Sequence, residues 1–236
     1  MSKIIFDGKK VGMFVSAVVA AAGSSSRMGE DKLFMLLDGV PVLARSIAAL
    51  EKSEYIDEII VVTRADLITR VNALVKQYDF TKVSCVCEGG ETRAQSVRKA
   101  VENCSDNAGL FVIHDGARPF VKEETVKRTV EAAFEFGAAA CAVRVKDTIK
   151  LVDKDGFVTD TPDRNTLRAV QTPQVFRNYI YKDALEKADD SVTDDCMTVE
   201  AAGYKVKLVE GDYTNIKLTT PDDILSAQAI LKGRGE

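Results

Sequence analysis

This 236-residue chain has one histidine, His114, and that scarcity removes whole classes of mechanism. A serine hydrolase triad, a two-histidine zinc site and a phosphohistidine relay each lose a group they need. The chemistry has to run on carboxylates, lysines and arginines, with or without a metal ion. Positive charge is not in excess either. The formal net charge is −4, which argues against a general nucleic-acid binder and requires any cationic site to be local. No apolar run approaches the roughly 20 residues of a membrane helix. The five cysteines include no Cys-x-x-Cys pair, and no secretory leader is visible, which together point to reduced thiols and a cytoplasmic protein. Cys85 and Cys87 read as filler in a strand, with their thiols expected on opposite sides. Internal repeats and low-complexity linkers are absent as well.

What is present suits one α/β domain, since 46% hydrophobic residues over this length can bury a real core. Apolar strand-like runs at Met13 to Ala20, Glu58 to Thr63, Lys82 to Cys87, Leu110 to His114 and Ala139 to Arg144 alternate with helical patterns. Those helices are expected at Val42 to Glu51, Asp66 to Tyr78, Thr92 to Asn103 and Glu123 to Phe136. Such alternation predicts a mostly parallel, Rossmann-like sheet flanked by helices, with ligands beyond the carboxyl ends of the strands. From Lys146 to Thr172 the rhythm changes to a β-hairpin around Asp153-Lys154-Asp155-Gly156. A lone two-stranded hairpin is marginal in water, so this arm is expected to pack on a second copy of the chain or back on its own domain. Helices at Asn178 to Ala188, Asp194 to Ala202 and Pro221 to Lys232, with a strand at Lys205 to Glu210, complete the pattern. Lys3 to Phe6 either adds a short strand or belongs to a loose leader.

Three polar segments fall just after expected strands and so land on one rim. The first is Ala21-Ala22-Gly23-Ser24-Ser25-Ser26-Arg27-Met28-Gly29 with Lys32 beyond. It matches neither Gly-x-x-x-x-Gly-Lys-Ser/Thr nor Gly-x-Gly-x-x-Gly, which rules out two familiar phosphate loops. Its small residues let backbone N–H groups close around phosphate oxygens, and Arg27 and Lys32 can converge on one polyphosphate. By itself, the same stretch also reads as a serine-capped turn with solvated cations. The second segment, Glu88-Gly89-Gly90-Glu91, allows a flat base to approach the main chain, with the Ser96 hydroxyl one turn into the next helix. Glu91-Thr92-Arg93 has an ordinary capping explanation. The third segment is Asp115-Gly116-Ala117-Arg118. Asp115 is placed either to hold Mg²⁺ or to cap the turn, and Arg118 to pair with a phosphate or a neighbouring acid. Near the end of the chain, Lys217 has no local duty and is a candidate phosphate ligand, whereas Thr220-Pro221-Asp222-Asp223 and Thr193-Asp194-Asp195 read as helix starts.

Together these segments resemble the 2-C-methyl-D-erythritol 4-phosphate cytidylyltransferases. The resemblance runs from about Val15 to Leu231 and adds Val145-Lys146-Asp147-Thr148, Asp163-Arg164-Asn165, Gln171-Thr172-Pro173-Gln174 and Asn215-Ile216-Lys217. It implies a nucleotidyltransferase fold related to the glycosyltransferase-A type, CTP as substrate, Mg²⁺ on Asp115, and a homodimer interlocked through the arm. It assigns Arg27, Lys32 and Lys217 to the triphosphate as the catalytic cations. Cytosine selection falls to main-chain groups around Ala21, Ala22, Gly90 and Glu91 with the Ser96 hydroxyl, and Gly23 joins them in binding the nucleotide. The polyol phosphate falls to Arg118, Thr148, Thr172, Thr193 and, from the partner's arm, Arg164. One departure is the short Gly29-Glu30-Asp31-Lys32-Leu33, where the family often has a longer loop and Pro-Lys-Gln.

The chemistry agrees with the resemblance. A phosphate monoester has a second pKa of about 6, so its oxygen attacks without a general base. The barrier is repulsion between two anions, met by positioning and by neutralising charge. Three rivals share parts of the pattern: a ribitol 5-phosphate cytidylyltransferase, a molybdopterin-type nucleotidyltransferase and a non-catalytic CTP sensor. Asp163-Arg164-Asn165 and Val145-Lys146-Asp147-Thr148 favour methylerythritol phosphate over ribitol phosphate, and His114-Asp115-Gly116-Ala117-Arg118-Pro119 with the arm counts against the second rival.

Overall fold

The β-branched runs of the sequence become the strands of one sheet. The structure is a computed structural model that describes residues 2–6, 9–23, 32–187, 192 and 194–234. β1 (Ser2–Phe6) pairs antiparallel with β2 (Lys9–Ala21), so the amino-terminal stretch is a strand. β3 (Leu36–Leu37) and β4 (Val40–Pro41) close a small hairpin on Asp38-Gly39, both at positive φ (49° and 74°), a conformation Asp-Gly tolerates in tight hairpin turns. There follow α1 (Val42–Glu51), β5 (Glu58–Thr63), α2 (Ile68–Gln77), β6 (Val83–Glu88), α3 (Arg93–Glu102) and β7 (Ala108–Asp115). The chain continues through α4 (Glu123–Phe136), β8 (Ala138–Arg144), β9 (Leu151–Val152), β10 (Val158–Asp160) and β11 (Arg168–Arg177). It ends with α5 (Asn178–Lys187), α6 (Asp195–Ala201), β12 (Lys207–Glu210) and α7 (Pro221–Arg234).

The main sheet runs β12-β8-β11-β7-β2-β5-β6, with β1 added beside β2. β2 lies parallel to both β5 and β7, β5 to β6, and β8 to β12. β11 is inserted antiparallel between β7 and β8. The sequence pattern gives no warning of β11, which begins inside the stretch assigned to the arm. Its alternation is broken by Gln171-Thr172-Pro173-Gln174, where the pairing with β8 shifts register and the Thr172–Pro173 bond is cis.

Alternate side chains of the strands feed two cores, as a period of two requires. Val15, Ala17, Val19, Ile59, Val61, Leu110 and Val112 meet α1, α2 and α4 on one face. Val18, Ile60, Val62, Phe111 and Ile113 meet α3, α5 and α6 on the other. Helices thus cover both faces, as a parallel sheet demands. The same period corrects the expectation for Cys85 and Cys87. Residues two apart share a face, and both pack against the second core. Burial above all, with the neighbouring Cys85, pushes the Cys87 thiol up to about 11, so it is not a reactive thiolate at neutral pH. No helix among the described residues is long and apolar enough to cross a membrane.

Candidate active site

The chain moves outward from β2 to β5 and β6, then returns to place β7 on the other flank of β2. That reversal is a topological switch point, where the connections leave the carboxyl ends of two adjacent strands in opposite directions and open a crevice. Ala20 of β2 is in register with Asp115, the last residue of β7. A cleft of about 500 Å³ lies there, lined among others by Ala21, Ala22, Gly23, Lys32, Gly90, Glu91, Arg93, Ser96, Asp115 and Lys217. A second hollow of about 670 Å³ adjoins it, sharing Ala22, Arg64, Gly90 and Glu91 and extending to Glu88, Gly89 and Lys99. One end of the combined groove is small and glycine-lined, and the other is cationic.

Asp115 is the centre of the cationic end. Its Oδ2 lies 3.0 Å from Lys217 Nζ and 3.2 Å from Arg118 Nε, and its Oδ1 lies 3.8 Å from Arg93. Burial by itself would raise its pKa, but Lys217 above all, with Arg93 and Arg118, outweighs burial and holds the carboxyl at about 2. Lys217 reaches this position because the buried Asn215 anchors the loop that carries it: the Asn215 side-chain amide donates to the Thr172 carbonyl at 2.8 Å, and the Asn215 main-chain carbonyl accepts from Arg118 at 2.8 Å. The Leu218 N–H then donates to the Ala117 carbonyl, 2.9 Å away.

A hydrogen-bonded chain fixes the backbone beneath. The Asp115 N–H donates to Thr172 Oγ1 (3.1 Å), and Thr172 Oγ1 lies 3.0 Å from Nδ1 of His114. His114 Nε2 faces the Arg118 carbonyl at 3.1 Å. A carbonyl only accepts, so the ring proton sits on Nε2 and Nδ1 accepts from the Thr172 hydroxyl. Complete burial lowers the His114 pKa to about 4, so the ring stays neutral at neutral pH. The lone histidine is a brace, not a base.

At the glycine end, Ser96 Oγ accepts from the Gly90 N–H at 3.0 Å and donates to the Thr92 carbonyl at 2.9 Å. Gln95 Oε1 accepts from the Glu91 N–H (3.0 Å), and Thr92 caps α3 through the Gln95 N–H. A Cβ on Gly89 would stand 2.7 Å from both Ala22 Cβ and Ser96 Oγ, which is why only glycine fits between β2 and α3 here.

The structure therefore gathers Ala21, Ala22, Gly23, Lys32, Gly90, Glu91, Ser96, Asp115 and Lys217 on one groove. Thr172, 3% exposed, and Arg118 lie just beneath, where they brace Asp115. Thr148 and Arg164 are exposed on the arm and do not line the groove; an Arg164 Nη donates to the Lys146 carbonyl at 3.3 Å. Arg27 and Thr193 lie outside the described residues. Sequence reasoning missed two side chains. Arg93 lines the cleft, and its Nη2 lies 2.6 Å from Asp195, a residue only 2% exposed. The caps were real, with Asp194 accepting from the Met197 N–H at 2.8 Å, and those local explanations hid the long-range pair.

Known proteins resemble the chain over most of its length. The family model described as 2-C-methyl-D-erythritol 4-phosphate cytidylyltransferase matches residues 15–233. A protein of that name from Caldanaerobacter subterraneus subsp. tengcongensis is 45% identical over 227 residues, covering 93% of this chain and 100% of its own. Another from Alkaliphilus metalliredigens is 43% identical, covering 93% and 94%. The crystal structure of 4-diphosphocytidyl-2C-methyl-D-erythritol synthase from Anaerococcus prevotii superposes with a TM-score of 0.84 at 35% identity, covering 93% of this chain and 96% of its own.

Proposed function

The chain belongs to the 2-C-methyl-D-erythritol 4-phosphate cytidylyltransferase family, and on that premise we propose how its groove carries out the reaction. The enzyme joins CTP and 2-C-methyl-D-erythritol 4-phosphate, giving 4-diphosphocytidyl-2-C-methyl-D-erythritol and pyrophosphate in non-mevalonate isoprenoid biosynthesis. The observation that carries the reading is the convergence of Lys32, Lys217 and Asp115 with the Gly89-Gly90 turn on one switch-point groove.

Cytosine lies at the glycine end, against Ala22 and the main chain of Gly90 and Glu91, a turn that Ser96 holds in shape. The triphosphate runs toward Lys32 and Lys217, with Arg27 completing the cationic set. The polyol phosphate, already a dianion above its second pKa of about 6, attacks the α-phosphorus. A P–O bond forms to that oxygen as the bond to the β-phosphate breaks, and pyrophosphate leaves with the electron pair. No proton has to be removed, which suits a site whose only histidine is buried and neutral. Lys32 and Arg27 neutralise the charge that builds on the α-phosphoryl oxygens in the transition state. Lys217 moves from Asp115 to the phosphates. Arg118 and Thr172 serve the second substrate from below by fixing Asp115 and the turn after it, while Thr148 and Thr193, with Arg164 of a second copy, close over it.

Mg²⁺ fits Asp115. Among the described residues no cluster of three or more histidines, cysteines or carboxylates is able to hold an ion by itself. One ionised carboxylate facing a phosphate groove matches a cation that takes few protein ligands and completes its shell with phosphate and water oxygens. When bound, it neutralises phosphate charge. The apolar arm residues Leu151, Val152, Phe157 and Val158 are exposed, which supports a homodimer built through the arm. The five free cysteines support a reducing, cytoplasmic setting.

The test is pyrophosphate release from CTP with purified protein. Release that requires 2-C-methyl-D-erythritol 4-phosphate is expected. Release supported better by ribitol 5-phosphate overturns the substrate, and CTP binding without release under either overturns the enzyme.

A further inference from the structure

The proposed chemistry leaves one buried ion pair without a role. A single atom, Arg93 Nη2, lies 2.6 Å from Asp195 Oδ2 and 3.8 Å from Asp115 Oδ1. Asp195 in turn accepts on its other oxygen from the Tyr181 hydroxyl at 2.5 Å. The two carboxylates stand on different elements, and α6 is tied to β11, the strand that carries Thr172. Asp115 ends β7 at the nucleotide cleft, whereas Asp195 opens α6, directly after the segment that carries Thr193. α6 is clamped to β11 at the same point, because Gln174 donates to Asp194 at 3.3 Å and accepts from the Cys196 N–H at 3.0 Å.

The nitrogen does not serve the two carboxylates equally. In the structure it sits close on Asp195, while Lys217 and Arg118 supply the nearer contacts to Asp115. When a bound triphosphate draws Lys217 away and Mg²⁺ takes its place beside Asp115, the positive charge facing Arg93 rises, so Arg93 is pushed from Asp115 onto Asp195 and the change passes to the first turn of α6. We infer that Arg93 is a positioning residue: through the Asp115–Arg93–Asp195–Tyr181 chain it couples occupancy of the nucleotide cleft to the shape of the polyol phosphate site. The inference rests on the two-substrate reading above. Burial works against the charge on Arg93, but Asp195 above all, with Asp115, outweighs it and keeps the guanidinium protonated throughout, so the coupling runs on position and not on proton transfer.

The experiment measures the affinity for 2-C-methyl-D-erythritol 4-phosphate by calorimetry, with and without saturating α,β-methylene-CTP and Mg²⁺. The wild-type enzyme should bind the polyol phosphate roughly 10-fold tighter in the presence of the analogue, within the range of ordinary allosteric coupling. Asp195→Asn keeps the shape and removes the charge, and it should bring that ratio to about 1 while the analogue binds within about threefold of wild type. Tyr181→Phe removes only the hydroxyl and should give an intermediate ratio; it carries the test alone if Asp195→Asn does not fold. A merely structural role lowers thermal stability and leaves the ratio intact, and that result, or a wild-type ratio of 1, overturns the inference. Failure of the wild type to bind either ligand instead overturns the two-substrate reading.

Discussion

Asp115 is held by Lys217, Arg118 and Arg93, reaching it from three separate stretches of the chain. β9 and β10, by contrast, pair only with each other among the described strands, and between them Phe157 is 73% exposed. Thr172 on the Asp115 N–H and Asn215 on Arg118 fix the turn before any ligand arrives, so on the proposed reading it keeps its place when Lys217 passes to the phosphates, and groups already in place need no reorganisation during the reaction. The arm has the opposite character. Its apolar residues face outward, and its stability must be completed by something outside its own hairpin. On the proposed reading, chemistry belongs to the braced region and assembly to the exposed one.

Lys32→Ala gives the sharpest test of that division. Turnover should fall by about 10²- to 10³-fold, while the KM for CTP changes only a few-fold, because the lysine acts on charge that develops in the transition state. Near-normal turnover removes Lys32 from the catalytic set. On the arm, Phe157→Asp combined with Val158→Asp should raise the dimer dissociation constant by at least about 30-fold, the loss expected of hot-spot residues. Sedimentation velocity reads this directly, and a dimer that persists, or a wild-type monomer, breaks the comparison from the other side.

Smaller effects sharpen it. Ser96→Ala removes the acceptor of the half-buried Gly90 N–H and should cost about 1 kcal/mol of stability in a urea titration, with a raised KM for CTP. Thr148→Ala, on the exposed arm, should cost less than about 0.5 kcal/mol and raise only the KM for the polyol phosphate. Equal stability losses at the two positions contradict the contrast. Last comes the pH profile. Burial depresses the His114 pKa to about 4, below its ordinary 6.5, so the ring gains no proton until the pH has fallen well below 6. The acid limb of kcat/KM for the polyol phosphate therefore belongs to the substrate's second ionisation near about 6 and should fall as the pH drops below it. A substrate analogue with a higher phosphate pKa should move the limb upward by the same difference. A limb that stays put assigns it to the protein.

Much of this division was legible in the residues. Glu58–Thr63, Val42–Glu51 and Glu123–Phe136 match their expected limits, because strong periodicity marks all three and Pro41 and Gly137 punctuate the start of one helix and the end of the other. The groove was legible as well, since small-residue turns and cations placed just after apolar strands have few other places to go. β11 was not, because a polar, proline-bearing segment hides a strand whose pairing is settled by neighbours 24 to 67 residues earlier. Arg93 and Asp195 were hidden for a related reason: each sits where a local helix start is sufficient explanation, and only the third dimension brings them together. Thr172 and Arg118 were found, yet their observed contacts are with Asp115 and its backbone.

The central claim is that groups far apart in the chain meet at the switch point to bring two anions together. A crystal structure with CTP and Mn²⁺, with the metal located by its anomalous signal, tests it most directly. The account predicts the metal on Asp115, the triphosphate beside Lys32 and Lys217 with the Lys217–Asp115 contact broken, and cytosine against Ala22 and Gly89-Gly90. Nucleotide bound instead in the groove of Arg144, Arg168 and Tyr213, with Lys217 still on Asp115 and no metal signal there, would contradict it.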